Sequence, residues 1–324
     1  MRLQPSKLQW LAIMGPSIRR FPRFYYAFSM FLGWGLFHGF PSYRRNVIRN
    51  MLPLCDGDLA RARKEGRRAC QMAAQYYVDL VAMPRRRSMQ DFERDHLTVV
   101  NGERLTVLEK PGPIVAVSTH TGNAELAVQA LMYRGRHFVA LVEELEPPEW
   151  SRAVLKIRSS IGGGFYEANF TGVRTCLEAL KAGEVLGLMG DRDIQGTGVC
   201  TELFGRQVKL PRGPWELARR TDALILPVFC RRLHTDNFEV HIDEPFRVAR
   251  TADAEADIRC ASARFAKLAE AHLRAEPGQW IVLEDFWGVH GCAGQDAEHD
   301  ANCPSADTGA HGPAPGDGGT DGHR

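Results

Sequence analysis

His120 and Glu125 lie in the run Val115-Ala116-Val117-Ser118-Thr119-His120-Thr121-Gly122-Asn123-Ala124-Glu125-Leu126, where an apolar strand pattern gives way to a Gly-Asn turn and then a helical pattern. A histidine at the carboxyl end of a strand, with a carboxylate five residues on at the start of a helix, is a compact general base that needs no metal and no covalent nucleophile. A lipid or sugar hydroxyl must lose its proton as it attacks, and an imidazole with the ordinary pKa of about 6.5 is largely neutral at pH 7 and accepts it. Glu125 is expected to hold the ring in one tautomer and to stabilise the imidazolium. With Asn123 as the helix cap, the N–H groups of Gly122 and Asn123 would face a developing oxyanion. The competing reading makes Glu125 a complement to the helix dipole and His120 a hydrogen-bonded loop residue.

Downstream residues favour the catalytic reading. Leu186-Gly187-Leu188-Met189-Gly190-Asp191-Arg192-Asp193 again sets charged groups after an apolar strand. In a parallel sheet the carboxyl ends of strands converge on one crevice, so His120 and Asp191 are expected to share a cavity. Arg158, on a helix before Gly162-Gly163-Gly164, offers a planar fork for an anionic substrate group, or is a solvated helix face. Phe204 to Pro214 reads as a basic, Pro/Gly-punctuated loop leading into a helix. Asp191, Asp193, Gln195, Gly196 and Glu202 nearly match a calcium loop, but position five is Gln and a strand precedes the loop where an entering helix is required. No Gly-x-Ser-x-Gly elbow occurs, and Cys176 lies inside a helical pattern that suits core packing better than nucleophilic chemistry.

The elements that must carry these groups define an α/β fold with a central, mostly parallel sheet flanked by helices. Strands are expected over Pro113 to Ser118, His137 to Val142, Val185 to Met189, Ala223 to Cys230 and Phe238 to Ile242. Helices are expected over Ala124 to Arg134, Ser151 to Ser160, Gly172 to Ala182 and Pro214 to Arg220, the first three followed by glycine. Ser42 to Met83 reads as Arg-rich amphipathic helices, and Ala254 to Ala275 as one long helix.

The 324 residues carry a net charge of +2 that conceals segregation: residues 1–50 hold eight Lys/Arg and no acid, and residues 291–324 hold six acids and one Arg. Phe24 to Phe40 is an uncharged, aromatic run of seventeen residues between two arginine clusters. It reaches only the lower limit for a bilayer span, about 17 residues, and aromatics beside Arg suit the headgroup boundary, so interfacial anchoring is favoured over a full span or a helix buried in the domain. The start of the run, far from the first residue, and the lack of a small-residue cleavage site disfavour a signal peptide. Residues 1–41 are thus expected to anchor, 42–290 to form the catalytic domain, and 291–324, poor in large apolar residues, to be a disordered tail. Eight cysteines without CxxC or Cys/His spacing argue against zinc and a disulfide framework and for a reducing compartment, with Cys292 and Cys303 idle in the tail.

These residues together resemble the bacterial lipid A acyltransferases and phosphatidylinositol mannoside acyltransferases, of the lysophospholipid acyltransferase group. The likeness runs over most of residues 1–288 and is carried by Arg44-Arg45-Asn46 with Arg49-Asn50, His120-Thr121-Gly122-Asn123-Ala124-Glu125, Gly190-Asp191-Arg192-Asp193, Leu203-Phe204-Gly205 and Pro277-Gly278-Gln279-Trp280. It implies transfer of a fatty acyl chain from an acyl thioester, on acyl carrier protein or coenzyme A, to a hydroxyl of a membrane glycolipid or lysolipid. It also implies His120 as base, Glu125 as its partner, and Arg158, Asp191 and Arg192 binding substrate, on the cytoplasmic face of the plasma (inner) membrane. No metal, cofactor or nucleic acid is implied. Basic groups at Arg61, Arg63, Lys64, Arg67, Arg68 and Arg85 to Arg87 suit an anionic donor or are solvated helix faces. Thr121 and Ala124 depart from the family's bulky apolar and aromatic residues, Glu284 and Asp285 stand where lipid A enzymes tend to be basic, which weighs against lipid A as the acceptor, and the Asp191-Arg192-Asp193 triplet looks closer to the mannoside enzymes. The alternative function is a catalytically silent, membrane-associated lipid-binding protein with the same fold.

Overall fold

The computed structural model describes residues 15–82, 89–125, 136–145, 147–159 and 163–292. Three helices come first: α1 (Pro22–Gly39), α2 (Pro41–Leu54) and α3 (Leu59–Ala82). Then follow α4 (Met89–His96), β1 (Leu97–Val100), a 3-10 segment (Gly102–Glu109), β2 (Ile114–Ser118), β3 (Phe138–Val142), α5 (Pro148–Ser159), β4 (Gly164–Glu167), α6 (Phe170–Lys181) and β5 (Val185–Met189). The chain continues with β6 (Val199–Leu203), β7 (Arg206–Leu210), α7 (Gly213–Thr221), β8 (Leu224–His234), β9 (Asn237–Ile242), β10 (Phe246–Arg247), α8 (Ala254–Ala275) and the short α9 (Phe286–Val289).

The main sheet runs β1-β9-β8-β2-β5-β3-β4, with β10 on β8. Pairing is parallel except where β9 and β10 meet β8. All five residues of β2 are buried. Val115 and Val117 enter the core shared with α8 and Trp215, whereas Ile114 and Ala116 enter a second core with Phe138, Phe165 and Phe238. Burial on both faces explains why β2 and β5 read as continuous apolar runs.

Every expected strand is present, joined by five that the sequence pattern did not single out: β1, β4, β10 and the two strands of the β6–β7 hairpin. Ala254–Ala275 forms one helix with Asp253 as its N-cap. Of the expected Ala124 to Arg134 helix only its first two residues are described; Arg85 to Arg87 and the tail from residue 293 fall outside the described residues. The cysteine expectation needs correcting, because Cys292 is bonded to Cys200 and Cys260 is disulfide-bonded as well. Gly291 and Cys292, expected to begin the tail, instead pair alongside β7: Val208 bridges Gly291, and the Cys292 N–H donates to Gln207 O. Covalent closure over 92 residues of separation left no spacing motif to read.

The N-terminal helices pack tightly. Pro41 starts α2 directly after α1. On α1, Tyr26, Ser29, Gly33 and Phe37 face inward. Gly33 lies so close to α3 that a Cβ would sit 2.4 Å from Gln71 Cα, so only glycine allows this approach. The opposite face presents Phe24 and Phe31, still 63% and 62% exposed, with Phe28, Leu32 and Trp34. Ring contacts at 6.1, 6.5 and 6.0 Å join Phe24, Phe28, Phe31 and Trp34 into one ladder. Among the described residues, no helix is long and apolar enough to cross a membrane.

Candidate active site

Register brings the first two groups together. Ser118 at the end of β2 pairs with Met189 at the end of β5, and the Gly190 N–H donates to Ser118 O at 2.7 Å. Two residues past Ser118 stands His120; two past Met189 stands Asp191. His120 Nδ1 lies 2.7 Å from Asp191 Oδ1, while Asp191 Oδ2 accepts the His120 backbone N–H at 2.9 Å and the Trp280 Nε1–H at 2.8 Å. A carboxylate that only accepts requires Nδ1 to carry the hydrogen, which leaves Nε2 with a free lone pair. Burial raises the Asp191 carboxyl, but the His120 charge, the two His120 hydrogen bonds and the Trp280 N–H outweigh it and hold the group below the ordinary carboxylate range. Asp191 is buried, and the His120 side chain is 27% exposed, so the base can be reached from solvent.

The loop around His120 is clamped from several sides. Gly122 takes a left-handed φ of +58°, and a Cβ there would lie 2.8 Å from Cys230 O on β8. Thr121 bridges Trp280, the Ile281 N–H donates to His120 O at 2.7 Å, and the Gly122 N–H donates to Gln279 O at 3.3 Å. The Asn123 N–H is directed to the Cys230 sulfur. The expectation that the Gly122 and Asn123 amides face an oxyanion is therefore corrected: both are committed to neighbouring chain.

Glu125 does not hold the imidazole. It lies 2.9 Å from Arg158 Nε as an ion pair and accepts the Tyr76 hydroxyl at 3.1 Å, and Arg158 Nη2 donates to the same hydroxyl oxygen at 2.9 Å. Five residues after His120 the chain has entered the next helix, and that position faces α3 and α5 rather than β5. Asp191 takes the role expected of Glu125. Burial pulls the Arg158 guanidinium down, yet Tyr76 and Glu125 lift it above its ordinary value, so it stays charged.

Arg192, expected to bind substrate, has its fork filled from within. Glu284 accepts from its Nε at 2.7 Å and its Nη2 at 2.8 Å. Glu284 also faces His290 Nε2 at 3.3 Å, and its carboxyl is lowered to about 2, first by His290 and then, against burial, by Arg192. Asp193 accepts the Gly198 N–H at 2.7 Å, and Asp191 serves His120 and Trp280, so the first two carboxylates of the calcium-like loop are already in use. Cys176 is buried with its thiol pushed up to about 12 by burial, which removes thiolate nucleophilicity. Sequence reasoning missed Trp280, Tyr76 and Asp79 as parts of the site; only Trp280 carried a signal, as the last residue of Pro277-Gly278-Gln279-Trp280.

The site is a histidine–carboxylate pair at the carboxyl ends of adjacent parallel strands, with the carboxylate buried and the imidazole partly exposed. Residues 3–288 match the family described as bacterial lipid A biosynthesis acyltransferase, and the chain belongs to that family. Curated relatives include phosphatidylinositol mannoside acyltransferase of Mycobacterium tuberculosis (strain ATCC 25618 / H37Rv), 29% identical over 182 residues covering 54% of each chain. The enzyme of the same name from Mycolicibacterium smegmatis (strain ATCC 700084 / mc(2)155) is 27% identical over 60% of this chain and 63% of its own. The chain thus spans just over half to under two thirds of these relatives' length. The crystal structure of the 1-acyl-sn-glycerophosphate (LPA) acyltransferase PlsC from Thermotoga maritima is similar at 16% identity and a TM-score of 0.37, covering 72% of this chain and 98% of that one. That likeness is too loose to carry an argument.

Proposed function

We propose that the protein transfers a fatty acyl chain from an acyl thioester, on acyl carrier protein or coenzyme A, to a hydroxyl of a membrane glycolipid of the phosphatidylinositol mannoside type. The observation that carries this reading is the His120–Asp191 contact of 2.7 Å, with Nε2 left free, in a chain that matches the acyltransferase family from residue 3 to 288. As the acceptor oxygen bonds to the thioester carbonyl carbon, its proton passes to His120 Nε2, and Asp191 stabilises the imidazolium. The tetrahedral oxyanion collapses with cleavage of the C–S bond. The imidazolium returns the proton to the departing thiolate, leaving an ester and a free thiol. Arg158, kept charged by Glu125 and Tyr76 with its Nε and Nη2 engaged by them, supplies a fixed positive charge for an anionic headgroup and not a free fork, with Glu125 as its positioning residue.

The surface of α1 supports membrane contact. Its aromatic ladder is exposed and its flanks carry Arg19, Arg20, Arg23, Arg44, Arg45 and Arg49 without an acid. Apolar burial at the headgroup boundary together with arginine attraction to anionic lipid supports peripheral binding. The test incubates the protein with palmitoyl-CoA or palmitoyl-acyl carrier protein and phosphatidylinositol mannoside in vesicles, and follows the acceptor by mass spectrometry. An acceptor heavier by one palmitoyl group, absent with His120→Ala, is the expected result. Transfer undiminished in His120→Ala refutes the base assignment, and no transfer by the wild type to any glycolipid or lysolipid favours a lipid-binding role.

A further inference from the structure

One fully buried carboxylate, Asp79 on α3, joins the outward-facing helix to the loop that carries His120. Asp79 Oδ1 accepts the Tyr26 hydroxyl of α1 at 2.6 Å. Asp79 Oδ2 accepts the Asn123 Nδ2–H at 2.9 Å, three residues from His120. Arg232 of β8 completes the set, donating through Nη1 to Oδ1 at 3.3 Å and through Nη2 to Oδ2, with its guanidinium 4.5 Å from the Phe238 ring. Asp79 and Arg232 are 0% and 2% exposed as side chains, so no water stands in for a lost partner. Arg232 is itself tied to the strap over His120, because its N–H donates to Gln279 Oε1 at 2.5 Å and its carbonyl accepts Gln279 Nε2–H at 2.8 Å.

We propose that Asp79 is a positioning residue that couples α1, seated on a lipid surface, to the geometry of the His120 loop, so that the base is ordered when the helix is docked. This rests on the acyltransferase and membrane readings given above. The geometry leaves little slack: Tyr26 lies on the inner face of the helix whose outer face is the exposed aromatic ladder. A shift of α1 that carries the Tyr26 hydroxyl away from Oδ1 leaves one oxygen of a buried carboxylate with a single long arginine contact. The carboxylate then turns toward Arg232, and the Asn123 bond that holds the loop is the one it gives up. Nothing in this chain of contacts touches the reacting atoms, so its effect is on the order of the loop and not on substrate affinity.

The test uses the whole chain and Tyr26→Phe, which removes one hydroxyl and keeps the ring packed; Asp79→Asn is unsuitable alone because it breaks the pair with Arg232. Amide hydrogen exchange across residues 119–125 is measured with and without vesicles of phosphatidylglycerol and phosphatidylcholine, and vesicle binding is measured by flotation. In the wild type, vesicles are expected to slow exchange across this loop, with the effect in the range of linked sites, about 5- to 150-fold. In Tyr26→Phe the protein floats equally well but vesicles no longer slow exchange, and kcat for acyl transfer falls about fivefold or more with KM unchanged. Equal vesicle-induced protection in both proteins overturns the coupling, as does wild-type protein that does not bind the vesicles. Exchange needs no substrate, so the coupling is decided even if no transfer activity is found, and that second failure counts only against the proposed function.

Discussion

Asp191→Asn isolates the role of the dyad because the substitution keeps the side-chain shape and changes one oxygen into an NH2 donor. Asp191 Oδ2 receives two N–H groups, from His120 backbone and Trp280, whereas Oδ1 faces only His120 Nδ1. Placing the amide NH2 at the Oδ2 position sets it against two buried donors, each costing about 1–3 kcal/mol when unsatisfied. Placing it at Oδ1 costs little, because the imidazole can shift its hydrogen to Nε2 and accept at Nδ1. The second orientation is therefore favoured by about 2–6 kcal/mol, and it removes the lone pair that would take the acceptor's proton. At about 1.36 kcal/mol per decade, kcat should fall by about 30- to 25000-fold. The assay is single-turnover acyl transfer from palmitoyl-CoA with saturating acceptor vesicles, beside a circular dichroism melt. A folded variant that keeps kcat within about threefold of the wild type would refute both the tautomer assignment and the catalytic use of this dyad.

Three further outcomes are expected. Gly33→Ala forces a Cβ against Gln71 Cα and Cys70 O, so α1 must move off α3; urea unfolding should show a loss of about 1–3 kcal/mol, and an unchanged midpoint would mean that the helices yield freely. Glu284 has a folded pKa of about 2, below its unfolded value of 4.5, so its contribution is complete above that value and is lost as pH falls from 4.5 toward 2. Linkage sets an upper limit of about 3 kcal/mol, nearer 1–2 after solvent screening of a group that is 32% exposed, and the difference in stability between wild type and Glu284→Gln should shrink over that window in pH-dependent urea melts. Cys292→Ser opens a loop closed over 92 residues, for which disulfides typically contribute about 2–4 kcal/mol; the variant should melt below the wild type without reductant, a reductant, which also opens the Cys260 disulfide, should narrow that difference, and equal melting temperatures without reductant would refute the contribution.

Several of the strands legible in the sequence are buried on both sides, whereas β9 is legible by alternation, with Phe238, Val240 and Ile242 inside. Ile114 to Ser118 and Val185 to Leu186 have no solvent face, so every side chain advertises burial. β7 reads as a loop in the sequence because Arg206, Gln207 and Lys209 surround only two buried residues, Val208 and Leu210. β6 does alternate, with Val199, Thr201 and Leu203 inside, but its calcium-like acids drew attention to Glu202 instead. Strand ends also bring His120 and Asp191 side by side, in contact at 2.7 Å. Their pairing was not legible, since it depends on the Ser118–Met189 register between strands 71 residues apart, whereas Glu125 was adjacent in sequence and looked the better partner.

That mistake has a physical lesson for the His-x4-acid pattern in this chain. A residue five positions beyond a strand-end histidine has passed through the turn and onto the next helix, where its direction is set by helix phase and not by the histidine. Glu125 accordingly meets Arg158 and Tyr76, while the imidazole turns to the carboxylate delivered by the neighbouring strand. The two carboxylates divide the work by environment: Asp191 holds a ring whose other nitrogen stays free, and Glu125 holds a cation. Exchanging their roles would require the turn at Gly122 to open, yet that turn is pressed against Cys230 O and bonded to Gln279 O. The spacing is therefore best understood as a device that fixes two separate contacts on either side of one rigid turn, an imidazole on the strand side and an arginine on the helix side.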